Sequence, residues 1–191
     1  MYMRIGVYGS AAGDHSSGIR SRAREIGREI ARLGHVVVTG ACPGLPHEAV
    51  LGAREEGGRT VGFSPAVGRE DHIERFGYPT EGLKEMVFVP ANHPLRDDPA
   101  ACLKCRNVAS VASVDAAIFV GGATGTLNEF TIAWDLGRRI GVLRGSGGVA
   151  DAIIPALLPL IGAGEGSVVF DDDPVRLVRR VTGHRSHFIA R

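Results

Sequence analysis

Short apolar runs rich in β-branched residues recur along the chain, and each is followed by a stretch with helical spacing. The runs are Arg4 to Tyr8, Val36 to Thr39, Thr60 to Phe63, Met86 to Val89, Ala116 to Val120, Ile140 to Leu143 and Ser167 to Phe170. Several are apolar throughout, as strands covered on both faces are, and strands that alternate with helices imply right-handed crossovers between parallel neighbours. The pattern predicts an α/β fold: a Rossmann-like parallel sheet with helices on both faces. A chain of 191 residues suits one core of this kind, so residues 1–191 are expected to form a single domain.

The first helix is read from Ile19, Ala23, Ile26, Ile30 and Leu33, which repeat at helical spacing behind Ser16 and Ser17 and stop at Gly34. A later helix has Asp98 as its cap and Pro99 in its first turn. Its apolar stripe reads Ala101, Cys105, Val108 and Ala112, with Arg106 beside it on a face of small residues, Cys102, Ala109 and Ser113. From Ser64 to Lys84, glycines, prolines and charges predict a long connection holding one short helix, placed to cover a site. The basic end, Arg176 to Arg191, reads as a solvated helix and tail.

Charge narrows the partners. With 22 basic and 21 acidic side chains the formal net charge is +1, so no global field draws the chain to nucleic acid or to a membrane surface. No apolar run approaches the roughly 20 residues needed to span a bilayer, and the start MYMRIGVYGS runs straight into a strand pattern. Three cysteines, an odd number, fit reduced thiols better than a disulfide scaffold. A cytoplasmic protein is expected.

The candidate chemistry lies in FVGGATGTLNEFTIAWDLG, a strand, a glycine-rich turn and a helix in that order, with Leu127, Phe130 and Trp134 as the buried stripe of the helix. Unpaired N–H groups at a helix start favour an anion, and glycine lets a phosphate approach the backbone. The turn Gly121, Gly122, Ala123, Thr124, Gly125, Thr126 therefore reads either as a phosphate seat or as a tight connection. It lacks the lysine of a Walker loop and the spacing of a dinucleotide fingerprint. Two other glycine-containing turns fall at the same ends of the strands, one with Gly9 and Ser10, the other with Gly40 and Gly44. Three such turns would face one crevice outside the carboxyl ends of the strands, where open α/β sheets bind ligands.

These residues resemble the LOG family, often labelled lysine decarboxylase-like, and more closely its allied group of Rossmann-like nucleotide-binding proteins, over nearly the whole chain. The family's P-G-G-x-G-T-x-x-E turn and helix has counterparts in Gly122, Gly125, Thr126 and Glu129. Its upstream arginine corresponds to Arg106, and its G-G-G-x-G-L-M turn to Gly40 and the pair Gly44, Leu45. The departures are Gly121 for proline, Ala123 for glycine, Asn128 for an acidic residue and Asn107 for the lysine after the arginine. The resemblance implies hydrolysis of the N-glycosidic bond of a purine nucleoside 5′-monophosphate, an AMP-like ligand, with Glu129 and Arg106 as catalytic residues and no cofactor or metal. It also implies a homodimer or dimer-based oligomer, to which the small-residue face near Arg106 is suited. Two alternatives come from the same likeness: a non-catalytic nucleotide or molybdenum-cofactor carrier, and a single-strand DNA binder similar to DNA-processing protein A. The balanced charge disfavours the latter.

Other residues invite chemistry and receive none. Cys102 and Cys105 form a lone C-x-x-C without a second pair, and His15, His47 and His93 lack the spacing of a metal or nucleophile motif. Cys42, in the second glycine turn, reads as a small buried thiol in preference to a ligand contact. Asp171, Asp172 and Asp173, ahead of Pro174, are expected to cap the last helix.

Overall fold

The computed structural model describes residues 2–162 and 168–183. Seven parallel strands, β1 (Arg4–Gly9), β2 (Val36–Thr39), β3 (Arg59–Phe63), β4 (Glu85–Val87), β5 (Ala116–Val120), β6 (Arg139–Leu143) and β7 (Val168–Asp171), form one sheet in the order β4-β3-β2-β1-β5-β6-β7. Every predicted strand is present within a residue or two. Ser167, the expected start of the last, lies outside the described residues, as do 184–191 of the expected tail. Helices α1 (Ser17–Arg32), α2 (Leu45–Glu55), α3 (Arg69–Glu74), α4 (Pro99–Ala112), α5 (Thr124–Asp135), α6 (Gly148–Leu157) and α7 (Pro174–Thr182) supply the crossovers. Among the described residues no helix is long and apolar enough to cross a membrane.

Alternation along the central strands divides the core. Ile5, Val7, Ile118 and Val120 face Ile26, Ile30, Ala49 and Leu177 of α1, α2 and α7, while Tyr8, Ala117 and Phe119 face Val111, Phe130 and Ile154 of α4, α5 and α6. Helices thus cover both faces. The crossing of α1 and α2 is close because each side lacks a side chain. A Cβ on Gly27 would stand 2.7 Å from the carbonyl carbon of Ala49, and one on Gly52 2.8 Å from that of Arg24.

Helix starts follow the expected chemistry. Ser16 accepts from Ile19 N–H, Asp98 from Ala100 and Ala101, and Asp173 from Arg176. The rest of the aspartate run does different work. Asp171 ends β7 buried against Arg176 at 2.6 Å and Arg180 at 3.0 Å. Burial opposes its charge, yet hydrogen bonds from Arg176, Asp173 N–H and Arg180 outweigh it and hold the carboxyl at about 2. The connection after β3 contains one short helix, α3, as its composition predicts.

α4 corrects the sequence reading. Its buried residues are Cys102, Arg106, Asn107, Ser110 and Val111, whereas Val108 is 52% exposed and Ala112 is exposed. Ala101 and Cys105 are only half-buried, and the inner face is mixed: Cys102 and Val111 are apolar, while Ser110 shares a 2.9 Å hydrogen bond with buried Tyr8 and Arg106 and Asn107 pair with α5.

Candidate functional site

The chain runs from β1 outward through β2 and β3 to β4, then returns to place β5 on the other side of β1. Strand order therefore reverses between β1 and β5, and their carboxyl ends open a crevice of the kind that holds ligands. Here the turns come together. A Cβ on Gly9 would overlap Val120 O, so glycine lets β1 run tight against β5 at its end.

The turn after β5 is latched from several sides. Gly121 and Gly122 have φ of 62° and 97°, a region that favours glycine. Gly121 N–H donates to Ser146 Oγ at 2.9 Å and Gly122 N–H to Ser10 Oγ at 2.7 Å, while Val149 and Ala150 N–H donate to the carbonyls of Gly122 and Gly121. These two amides serve the fold. The helix α5 begins next, with no side chain capping it and no acidic residue in its first turn. Its opening N–H groups, from Thr124, Gly125 and Thr126, point at the anion position that a helix start provides. A Cβ on Gly125 would meet nothing within 4 Å, so open space lies against the backbone there.

Farther along α5, Glu129 meets Arg106 of α4 with Nη1 to Oε1 at 3.2 Å, their side chains 7% and 8% exposed. Gly40 makes the seat for that guanidinium: a Cβ there would overlap Nη1 and stand 2.6 Å from Cζ. Arg106 Nε is buried without a hydrogen-bond partner. Burial pushes the Glu129 carboxyl up to about 7, against the pull of Arg106 and then Lys104, so both protonation states are accessible near neutrality. Burial likewise pushes Cys42 up to about 11 and raises Tyr8, which leaves both as neutral groups.

These elements enclose a cavity of about 330 Å³. Of the residues expected from sequence, Gly9, Ser10, Gly40, Arg106, Gly122, Ala123, Gly125, Thr126 and Glu129 border it. Gly44, Gly121 and Thr124 do not. Gly44, at φ 76°, opens α2, and the next residue's N–H, from Leu45, donates to Ser10 O at 2.9 Å, joining two turns. Thr124 is exposed in the first turn of α5.

Sequence reasoning does not find Tyr8, Ala11, Ala12, Pro46, Leu103 and Lys104 as wall residues, whereas Cys42 is both a buried thiol and a residue of the cavity wall. Asn107 was visible only as a departure from the LOG pattern, and so was Asn128. The fold joins the two departures: Asn107 Nδ2 donates to Asn128 Oδ1 at 2.8 Å. A neutral amide pair stands beside the Arg106–Glu129 ion pair.

Comparison with known proteins agrees with this architecture. The pattern of the SLOG cluster4 family matches residues 2–159. An uncharacterized protein of Archaeoglobus fulgidus is 32% identical over 142 residues, 74% of this chain and 80% of its own length. An X-ray structure of a structural-genomics target aligns with a TM-score of 0.74 at 23% identity, covering 96% of this chain and 99% of that one. The molybdenum cofactor carrier protein of Chlamydomonas reinhardtii aligns at 0.70 and 24% identity, over 96% and 98%. DNA processing protein A of Helicobacter pylori, described with a single-stranded DNA binding mode, aligns at 0.64 and 16% identity, over 96% and 82%. At these identities the solved structures share the fold.

Proposed function

This chain belongs to the SLOG cluster4 family, and we propose that it binds a purine nucleoside 5′-monophosphate with the phosphate at the start of α5 and hydrolyses its N-glycosidic bond. The observation that carries the reading is the uncapped N-terminus of α5, which opens on the same cavity as the buried Arg106–Glu129 pair. An anion at the helix start is stabilised by free N–H groups and the helix dipole, and Thr126 adds a hydroxyl.

In the reaction, water forms a bond to the anomeric carbon as the carbon–nitrogen bond breaks, giving ribose 5-phosphate, and the departing base takes up a proton. The sugar passes through a cationic, oxocarbenium-like state. Glu129 as a carboxylate stabilises that state and accepts the proton of the attacking water. Arg106, permanently charged, holds the carboxylate in place and offers donors to phosphate or ribose oxygens. A homodimer built through α4 is part of the same proposal; Cys102 of the expected small-residue face is fully buried, so the contact falls to Ala109 and its exposed neighbour Val108. Nucleic acid is not the proposed partner, because the formal charge is +1 and the cavity is of nucleotide size.

The Asn107–Asn128 pair favours a second reading, a carrier that holds a nucleotide-like or pterin ligand without turning it over. It is neutral at two positions where the catalytic LOG pattern is charged. Chromatography of free base released from AMP and related monophosphates separates the two. Hydrolysis predicts that Glu129→Gln loses roughly 10²–10⁴-fold in turnover while keeping most of its affinity. Wild-type release no faster than that of Glu129→Gln would remove the hydrolase and leave the carrier, for which a ligand retained through purification is the expected sign.

A further inference from the structure

Arg106 borders a second chamber of about 220 Å³ that the nucleotide site does not use, walled by Phe63, Val87, Phe88 and Val89 and containing His93 and Cys105. The turn from His93 to Arg96 arranges both cysteines of the C-x-x-C. Leu95 N–H donates to His93 Nδ1 at 3.1 Å, so in the neutral ring the proton sits on Nε2. That Nε2–H points at Cys105 Sγ, 3.7 Å away, and makes the sulfur an acceptor. Cys102, fully buried, donates its S–H to Leu95 O at 3.3 Å. Both lie in α4, three residues apart, where helix geometry sets their Cα atoms about 5 Å apart, within the span of a disulfide. The chamber also has a buried cation whose Nε is unpartnered, since Arg106 is 7% exposed.

We propose that Cys105 is a reactive thiol for organic hydroperoxides that enter this chamber, and that Cys102 resolves the product. The apolar walls take the organic group, and Arg106 offers donors to the oxygen that leaves. The Cys105 thiolate attacks the terminal oxygen: a sulfur–oxygen bond forms, the oxygen–oxygen bond breaks, and the alkoxide departs and takes a proton from solvent, leaving a sulfenic acid. Cys102 sulfur then attacks Cys105, and water leaves with the hydroxyl and the Cys102 proton as the disulfide forms. Two thiols are oxidised and one hydroperoxide is reduced to an alcohol and water. This chemistry shares Arg106 with the proposed nucleotide site and makes no use of Glu129.

Treatment of the full chain with cumene hydroperoxide, followed by thiol counting and peptide mass analysis, tests it. Two of the three thiols should be lost as a Cys102–Cys105 disulfide while Cys42 stays reduced. Cys102→Ser should stop at a sulfenic acid that dimedone traps on Cys105, and Cys105→Ser should keep its thiols. His93→Ala should slow the first step by about tenfold, the loss of one hydrogen bond to a charged sulfur. Reaction at Cys42 first, thiol loss in Cys105→Ser at the wild-type rate, or an unchanged rate in His93→Ala would overturn the proposal.

Discussion

Replacing Gly40 by alanine would set a methyl group onto Arg106 Nη1 and 2.6 Å from its Cζ, with Nη2 at 3.3 Å. All three nearest atoms belong to one flexible guanidinium, so the clash is resolved by moving that side chain and the backbone can stay. Ordinary carbon contacts lie near ~3.5 Å, so the guanidinium must shift by about 1 Å or more, which disturbs its 3.2 Å contact to Glu129 Oε1. If Arg106 holds the ligand, the variant forfeits a charge-assisted hydrogen bond of about 1.5–3 kcal/mol, which is roughly 10–150-fold in affinity. Breaking a buried pair by deleting one partner costs about 3–5 kcal/mol. Here the charge is displaced and not deleted, so the loss of stability should be smaller. Titration calorimetry with AMP on Gly40→Ala, Arg106→Ala and the double variant reads the coupling: Gly40 acts through Arg106, so the double variant should bind like Arg106→Ala alone. Wild-type affinity in Gly40→Ala, or losses that simply add, would refute the seating of Arg106 by Gly40.

Three further outcomes follow from the packing. Asp171 is depressed to about 2 from an ordinary value near 3.8, so its contribution is fully present above about pH 4 and is lost as pH falls through 2. Asp171→Asn should therefore cost about 2 kcal/mol in urea unfolding at pH 7 and well under ~1 kcal/mol at pH 2, where the folded carboxyl is about half protonated; an equal cost at both would contradict the ion-pair account. Gly27→Ala drives a methyl into the backbone of Ala49 and should destabilise by about 3 kcal/mol, the upper end of overpacking, where a cost below about 0.5 would show that α1 and α2 can separate. Val108→Arg, on the exposed apolar face of α4, should turn the proposed dimer into a monomer in light scattering, and an unchanged mass would place the interface elsewhere.

The layers of this fold were legible because both faces of the sheet are covered. Runs such as Val36–Thr39 and Ala116–Val120 carry the buried-strand pattern, and Ser16, Asp98 and Asp173 announce helix starts through local hydrogen bonds. The site was legible in part. Glu129 and Arg106 are singled out by the resemblance to the LOG pattern and the turn before α5 by glycines ahead of a helix, and the fold brings all three to one cavity. Gly40 borders the cavity and also seats a guanidinium, while Gly44 and Gly121, off the cavity wall, give a left-handed opening of α2 and a latch to Ser146. Sequence shows that a side chain is missing but not what fills the space. α4 was inverted for a related reason. Periodicity marks the apolar face, and only the fold reveals that Tyr8, Asn128 and Glu129 await the polar one.

The central claim is that a ligand phosphate sits against the backbone at the start of α5. Gly125 allows a direct test, because a side chain there enters open space and leaves the fold untouched. Titration of AMP into wild type and Gly125→Leu, with thermal unfolding of both as control, should show affinity lost by about 100-fold or more at an unchanged melting temperature, as expected when a well-placed anion contact is blocked. Equal affinity in the two proteins would mean that the phosphate binds elsewhere.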